Sequence, residues 1–132
     1  NRSCFYRELK EFEFVPDYKV VFEDVETIRQ RKKNPVEGSY TNYLFDKGIE
    51  KIGKKVGEEA TETVIAAVAG KKGELVGELS DLLYHALVLA EASGITIQDV
   101  FQEVMARKGK APNPKYGEDK IETNTDKIRQ DK

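Results

Sequence analysis

Two carboxylate pairs, Glu59 with Glu62 and Glu78 with Asp81, stand at mirrored positions about Gly70: 62 + 78 and 59 + 81 both equal 140, twice 70. If the flanking segments are helices folded back as an antiparallel hairpin, residues equidistant from the turn sit at one height. Glu62 then faces Glu78, and Glu59 faces Asp81. Residues three apart share a helix face, so four carboxylates converge about 12 Å from the turn at a rise of about 1.5 Å per residue. Like charges that close raise one another's pKa unless a counter-charge is supplied. All-oxygen ligands select hard divalent ions, which makes Mg2+ the expected occupant of Glu59, Glu62, Glu78 and Asp81, with Mn2+ acceptable. Di-iron chemistry wants Glu-x-x-His pairs on two helices. Ile65 and Asp81 hold the corresponding places after Glu62 and Glu78, so that pattern is absent. Solvated surface acids are the plainer alternative in a chain with 24 acidic residues; they account for one Glu-x-x-Glu but not for the mirrored spacing.

Lys51, Lys54 and Lys55 precede the first acidic pair by one to two turns. Ammonium groups beside a carboxylate-bound cation are what a polyphosphate needs, the cation bridging phosphate oxygens and the lysines holding the rest. Ordinary pairing of Lys54 with Glu58 and Lys55 with Glu59 is the competing role. Glu58 is a candidate base for water or a support for the neighbouring ligands. His85 follows Asp81 by one turn and could orient it, touch phosphate or be structural. Nucleophilic catalysis has no support: there is no Gly-rich phosphate loop, and Cys4 lies far from the one histidine.

The elements that must position these groups read mostly as helix. A helix from Asp17 or Tyr18 to about Lys33 carries Val21, Val25 and Ile28, with Asp17 available as a cap. It ends in Arg29, Arg31, Lys32 and Lys33, which either complement the helix dipole or contact phosphate. A loop over Val36 to Ser39 leads to one or two helical turns from Thr41 to Asp46. From Ile49 to Ala69, at roughly 100° per residue, Ile49, Ile52, Val56, Ala60, Val64 and Ala67 form an apolar stripe, and Glu59 lies at its border with the charged face. The partner helix, about Gly73 to Ala92, is apolar over most of its girth, and Glu74, Glu78, Asp81 and His85 form a narrow strip expected to be buried or to line a crevice. A helix of that kind needs cover on several sides, so a second copy of the chain is expected against it. Thr96 precedes a last helix, about Ile97 to Lys108, and 110–132 reads as a poorly ordered polar tail. Ahead of all this, Glu11 to Val15 alternates with period two, like a strand.

The chain has 132 residues, enough for one domain, with 35% charged and 39% apolar residues and a formal charge of -2. That charge argues against a nucleic-acid or anionic-membrane surface. No run approaches the ~18 apolar residues of a spanning helix, and no secretory signal opens the chain. One cysteine excludes an internal disulfide framework, so a reducing, cytoplasmic setting is expected.

Four stretches carry a family resemblance: Arg31-Lys32-Lys33-Asn34-Pro35, Glu37-Gly38-Ser39-Tyr40-Thr41, Lys54-Lys55-Val56-Gly57-Glu58-Glu59-Ala60-Thr61-Glu62 and Glu78-Leu79-Ser80-Asp81-Leu82-Leu83-Tyr84-His85. Over about residues 18 to 108 the chain resembles phosphoribosyl-ATP pyrophosphohydrolases of histidine biosynthesis, which belong with the MazG-like all-α nucleotide pyrophosphohydrolases. The resemblance implies an all-α antiparallel helical bundle, dimeric, using Mg2+ held by the Glu-x-x-Glu and Glu-x-x-Asp pairs. It implies cleavage of phosphoribosyl-ATP to phosphoribosyl-AMP and pyrophosphate. Ser3-Cys4-Phe5-Tyr6-Arg7 resembles the end of phosphoribosyl-AMP cyclohydrolase, which is fused ahead of the pyrophosphohydrolase in bifunctional proteins. Residues 1–17 are accordingly expected to be the remnant of an upstream domain, with 18–109 the pyrophosphohydrolase domain. In the cyclohydrolase family this cysteine is one of three zinc ligands; the other two are missing, and one thiolate makes no zinc site. Two alternatives stay open: a housekeeping pyrophosphatase acting on other nucleotides, and a non-catalytic module that holds a cyclohydrolase as a dimer.

Overall fold

A computed structural model describes residues 17–116. Among these residues the chain is all-α, with five helices and no strand: α1 (Lys19–Lys33), α2 (Tyr40–Lys47), α3 (Ile49–Val68), α4 (Lys72–Ala92) and α5 (Ile97–Arg107). The alternating stretch Glu11–Val15 and most of the polar tail lie outside the described residues. The chain divides after Ile97 into two compact units. The second contains the rest of α5, where Arg107 pairs with Glu103 at 2.8 Å; the first contains α1 to α4.

The first unit is built on the α3–α4 hairpin, its most extensive packing. The turn pivots on Gly70, whose φ of 71° is costly for any residue with a Cβ. Lys71 N–H reaches Ala66 C=O and Gly70 N–H reaches Ala67 C=O, both at 3.1 Å, the paired bonds of a Schellman ending. Gly94 closes α4 in the same manner, with Ile95 N–H on Ala90 C=O and Gly94 N–H on Glu91 C=O. At the start of α1, Asp17 Oδ1 accepts from Lys19 N–H at 2.9 Å, and Ser39 Oγ caps α2 by accepting from Asn42 N–H.

The core gathers at the end of the hairpin away from the turn: Val25 and Ile28 of α1, Leu44 of α2, Ile52 of α3, Leu87 and Val88 of α4, and Ile97. Two polar devices hold α1 and α2 there. Buried Asn42 donates to Arg31 C=O at 2.7 Å and accepts from Val36 N–H at 2.8 Å, which ties the 34–39 loop to both helices. Arg29 pairs with the Glu91 carboxylate at 3.3 Å, and Lys32 donates to the Glu91 carbonyl at 3.0 Å. These two members of the basic cluster at the end of α1 therefore secure the C-terminus of α4.

Because α1 and α2 reach only half of the hairpin, burial on α3 and α4 is graded along their length. The stripe expected on α3 is rotated: Ile52, Glu59 and Ala66 are buried, whereas Ile49, Val64 and Ala67 are exposed. The line through Glu59 is the one that meets α4. On α4, in chain order, Glu74 is exposed, Glu78 half-buried, Asp81 exposed and His85 buried. Near the turn, Val64, Ile65, Val68, Val76, Leu79 and Leu83 remain exposed, Val68 at 83%.

Candidate metal and phosphate site

At mid-hairpin, where the cover from α1 and α2 stops, Glu59, Glu78 and Asp81 each present a carboxylate oxygen, and these oxygens all lie within 4.8 Å of one another. The mirrored spacing thus becomes a physical cluster. Glu62 stands beside it rather than within it, and its carboxylate adds to the negative charge around Glu78. Partial desolvation, then Glu62, Glu59 and Asp81, hold the Glu78 carboxyl above its ordinary range. A cation bound among these carboxylates would supply the counter-charge that the cluster lacks.

Glu59 is only 6% exposed, and its Oε2 is buried with no hydrogen-bond partner. An orphaned carboxylate oxygen inside a protein is costly. A hard divalent cation held by Glu59 with half-buried Glu78 and exposed Asp81 would offset that cost, and the all-oxygen donor set suits such an ion.

The other oxygen of Glu59 meets Lys55 Nζ at 3.7 Å, and Lys55 also pairs with Glu58 at 3.4 Å. Desolvation acts to lower the Lys55 pKa, but Tyr40, Glu58 and Glu59 outweigh it, so the ammonium stays above its ordinary range and is a fixed positive charge at neutral pH. Lys54, Glu58 and Glu62 line a separate shallow trough on the outer side of α3. Lys51 lies a turn before Lys55 and is half-buried.

His85 is buried and both of its ring nitrogens are engaged. Nδ1 lies 2.7 Å from the Asp81 carbonyl and Nε2 lies 2.8 Å from the Tyr40 hydroxyl. A carbonyl can only accept, so Nδ1 carries the proton, and in the neutral ring Nε2 accepts from Tyr40. Neither nitrogen is left for phosphate; the ring's geometry suits orientation of the Asp81 turn.

Sequence reasoning did not single out Tyr40, Thr41 or Tyr84. Tyr40 is tied to His85, Thr41 hydrogen-bonds the Tyr84 hydroxyl, and Tyr84 meets His85 edge-on. Burial raises the Tyr40 pKa, Lys55 opposes this, and Glu59, Tyr43 and Tyr84 add to it, so Tyr40 stays a neutral donor beside the Lys55–Glu59 pair. The signal for these residues lay in two of the resemblance stretches, Glu37-Gly38-Ser39-Tyr40-Thr41 and the Tyr84-His85 end of the one that begins at Glu78.

Fold and site together define an all-α protein with a carboxylate cluster able to hold a metal ion beside lysines. The chain belongs to the phosphoribosyl-ATP pyrophosphohydrolase family, whose sequence profile matches residues 22–108. It is 53% identical over 107 residues to a histidine biosynthesis bifunctional protein HisIE of Caldanaerobacter subterraneus subsp. tengcongensis, covering 81% of this chain and 52% of that protein. It is 50% identical over 95 residues to a phosphoribosyl-ATP pyrophosphatase of Clostridium acetobutylicum, covering 72% of this chain and 86% of that protein. With a phosphoribosyl-ATP pyrophosphatase of Bacillus mycoides it shares 54% identity over 85 residues, 64% of this chain and 79% of that protein. The chain spans about half the length of the bifunctional relatives it matches.

Proposed function

We propose that this chain hydrolyses phosphoribosyl-ATP to phosphoribosyl-AMP and pyrophosphate in histidine biosynthesis, in the cytoplasm, with Mg2+ as the cation and Mn2+ able to replace it. The observation that carries the reading is the convergence of the Glu59, Glu78 and Asp81 carboxylates, with Glu59 keeping a buried, unpartnered oxygen, in a chain of this family. Glu59, Glu78 and Asp81, with Glu62 beside them, would hold the cation. A divalent cation bound there would neutralise phosphate charge and activate water at the α–β linkage. Glu58, which shares Lys55 with Glu59, would take the proton from that water. Lys55, Lys54 and Lys51 offer ammonium groups to the phosphate chain. His85 keeps the Asp81 turn oriented.

The unit is read as a homodimer. The exposure of Val64, Ile65, Val68, Val76, Leu79 and Leu83 on the two hairpin helices supports this, because large aliphatic side chains left bare in number call for cover. The chain is further read as the pyrophosphohydrolase part, residues 18–109, of a bifunctional cyclohydrolase/pyrophosphohydrolase, with a polar tail over 110–132. The Ser3–Arg7 resemblance supports this, as does the wider match to bifunctional relatives, 81% of the chain against 72% for a standalone one. The test is pyrophosphate release from phosphoribosyl-ATP, ATP and dUTP, each with and without Mg2+. Metal-dependent turnover favouring phosphoribosyl-ATP is expected; preference for another nucleotide would displace the substrate, and no activity on any would leave a dimerisation module.

A further inference from the structure

We propose that the cleft between the 35–39 loop and the first turns of α2 is a nucleoside subsite, receiving the purine and ribose of a nucleotide whose phosphates lie at the carboxylate cluster. This deepens the reading above, and rests on it only for the phosphate end. The cleft has a volume of about 710 Å3, within the range of roughly 300–1,000 Å3 typical of small-ligand sites. Pro35 and Val36 give it an aliphatic side, and Tyr40 and Tyr43 an aromatic one. The two tyrosine rings lie 21° from parallel with centroids 6.0 Å apart, and they are 46% and 43% exposed. Half-exposed ring faces in a concave site are surfaces on which a base stacks, at little entropic cost because each side chain has few torsions to freeze. Lys47, which does not line the cleft, lies 5.7 Å from the Tyr43 ring centroid and helps hold that ring.

Charge sets the direction of the ligand. Glu37 and Asp46 are the ionisable carboxylates lining the cleft; they suit ribose hydroxyls as donors and repel phosphate. A second cleft, of about 440 Å3, holds Asp81 and His85, and Tyr40 forms part of the wall of both. The phosphates must enter where Asp81 is, so the base falls on the other side of Tyr40. The bond from Tyr40 to His85 makes that shared wall rigid.

The test follows amide chemical shifts of the whole chain on titration with AMP in the absence of metal, and separately with pyrophosphate and Mg2+. AMP is expected to shift amides over 36–46, and Tyr43→Ala to weaken that binding about tenfold, as loss of one base–aromatic stack does, while Tyr43→Phe retains it. Pyrophosphate with Mg2+ is expected to shift the amides around Glu59 and Asp81 equally in wild type and Tyr43→Ala. AMP that leaves 36–46 unmoved, or binds Tyr43→Ala as tightly as wild type, overturns the subsite. Wild-type turnover of phosphoribosyl-ATP is scored independently. AMP binding at 36–46 without such turnover removes the substrate assignment and keeps the subsite; turnover without AMP shifts does the reverse.

Discussion

Tyr40 and His85, 45 residues apart in sequence, are joined by a 2.8 Å hydrogen bond from the phenol to imidazole Nε2, while Nδ1 of the same ring is held by the Asp81 carbonyl. The link runs from the α4 backbone to a residue of α2 that lies beside Lys55 and Glu59 of α3. Three helices thus share one polar joint at the edge of the carboxylate cluster.

Removing the phenol hydrogen should loosen that joint. Tyr40→Phe leaves Nε2 without its donor in a buried ring, at a cost of about 1–3 kcal/mol. It should also weaken Mg2+ binding, since outer partners of ligand-bearing turns matter about 10–100-fold for metal affinity. Urea unfolding and a Mn2+ binding isotherm check this. Unchanged stability together with unchanged Mn2+ affinity would show that the joint is incidental.

Glu59→Gln, Glu62→Gln, Glu78→Gln and Asp81→Asn should each abolish most turnover while the fold persists. Each removes a ligand but also relieves repulsion between carboxylates, so the metal-free variants should melt no lower than wild type. Stabilisation by excess Mg2+ should shrink in each. Activity lost with Mg2+ stabilisation intact in all four would sink the metal cluster; solvated surface acids would leave rate and stability nearly untouched.

Lys51→Ala and Lys55→Ala should raise KM more than they lower kcat, if these ammonium groups hold phosphate equally in the ground and transition states. Steady-state kinetics at saturating Mg2+ separates the two parameters. A fall in kcat with KM unchanged would instead place the lysines on charge that develops during the reaction.

The raised pKa of Glu78 carries a pH signature. In the folded, metal-free protein this carboxyl keeps its proton above 4.5, its ordinary value, where the unfolded chain has lost it. The folded state therefore binds more protons in that window, and stability falls as pH rises from 4.5 through the raised value. The contribution is complete below 4.5 and gone above the folded pKa. Because Mg2+ competes with the same proton, its affinity should rise across that window. Unfolding free energy against pH, for wild type and Glu78→Gln without metal, tests this; equal slopes in the two would reject it.

The exposed aliphatic residues of the hairpin should make the protein a dimer at micromolar concentration, with twice the 15.0 kDa chain mass in light scattering. Ile65→Glu, at one of them, should drive it toward monomer by burying a charge in the contact. A wild-type mass of one chain would contradict the homodimer.

The helices, the glycine turns and the facing of the carboxylate pairs follow from local rules that a single sequence displays. Helical periodicity and a turn centred on Gly70 suffice to bring Glu59 opposite Asp81, because an antiparallel hairpin converts distance from the turn into height. Which of those acids is buried does not follow locally. Glu59 is enclosed because it lies on the line of α3 that meets α4, whereas Asp81, at the same height on α4, is left exposed. The cover that α1 and α2 give the far end of the hairpin depends on Asn42, Arg29 and Lys32 meeting partners 11, 62 and 59 residues away. For the same reason the α3 stripe is rotated toward Glu59 and the turn-end aliphatics are left bare. His85 could be placed a turn from Asp81 by counting; its capture by Tyr40, and the cleft beyond that ring, exist only once α2 is laid across α4.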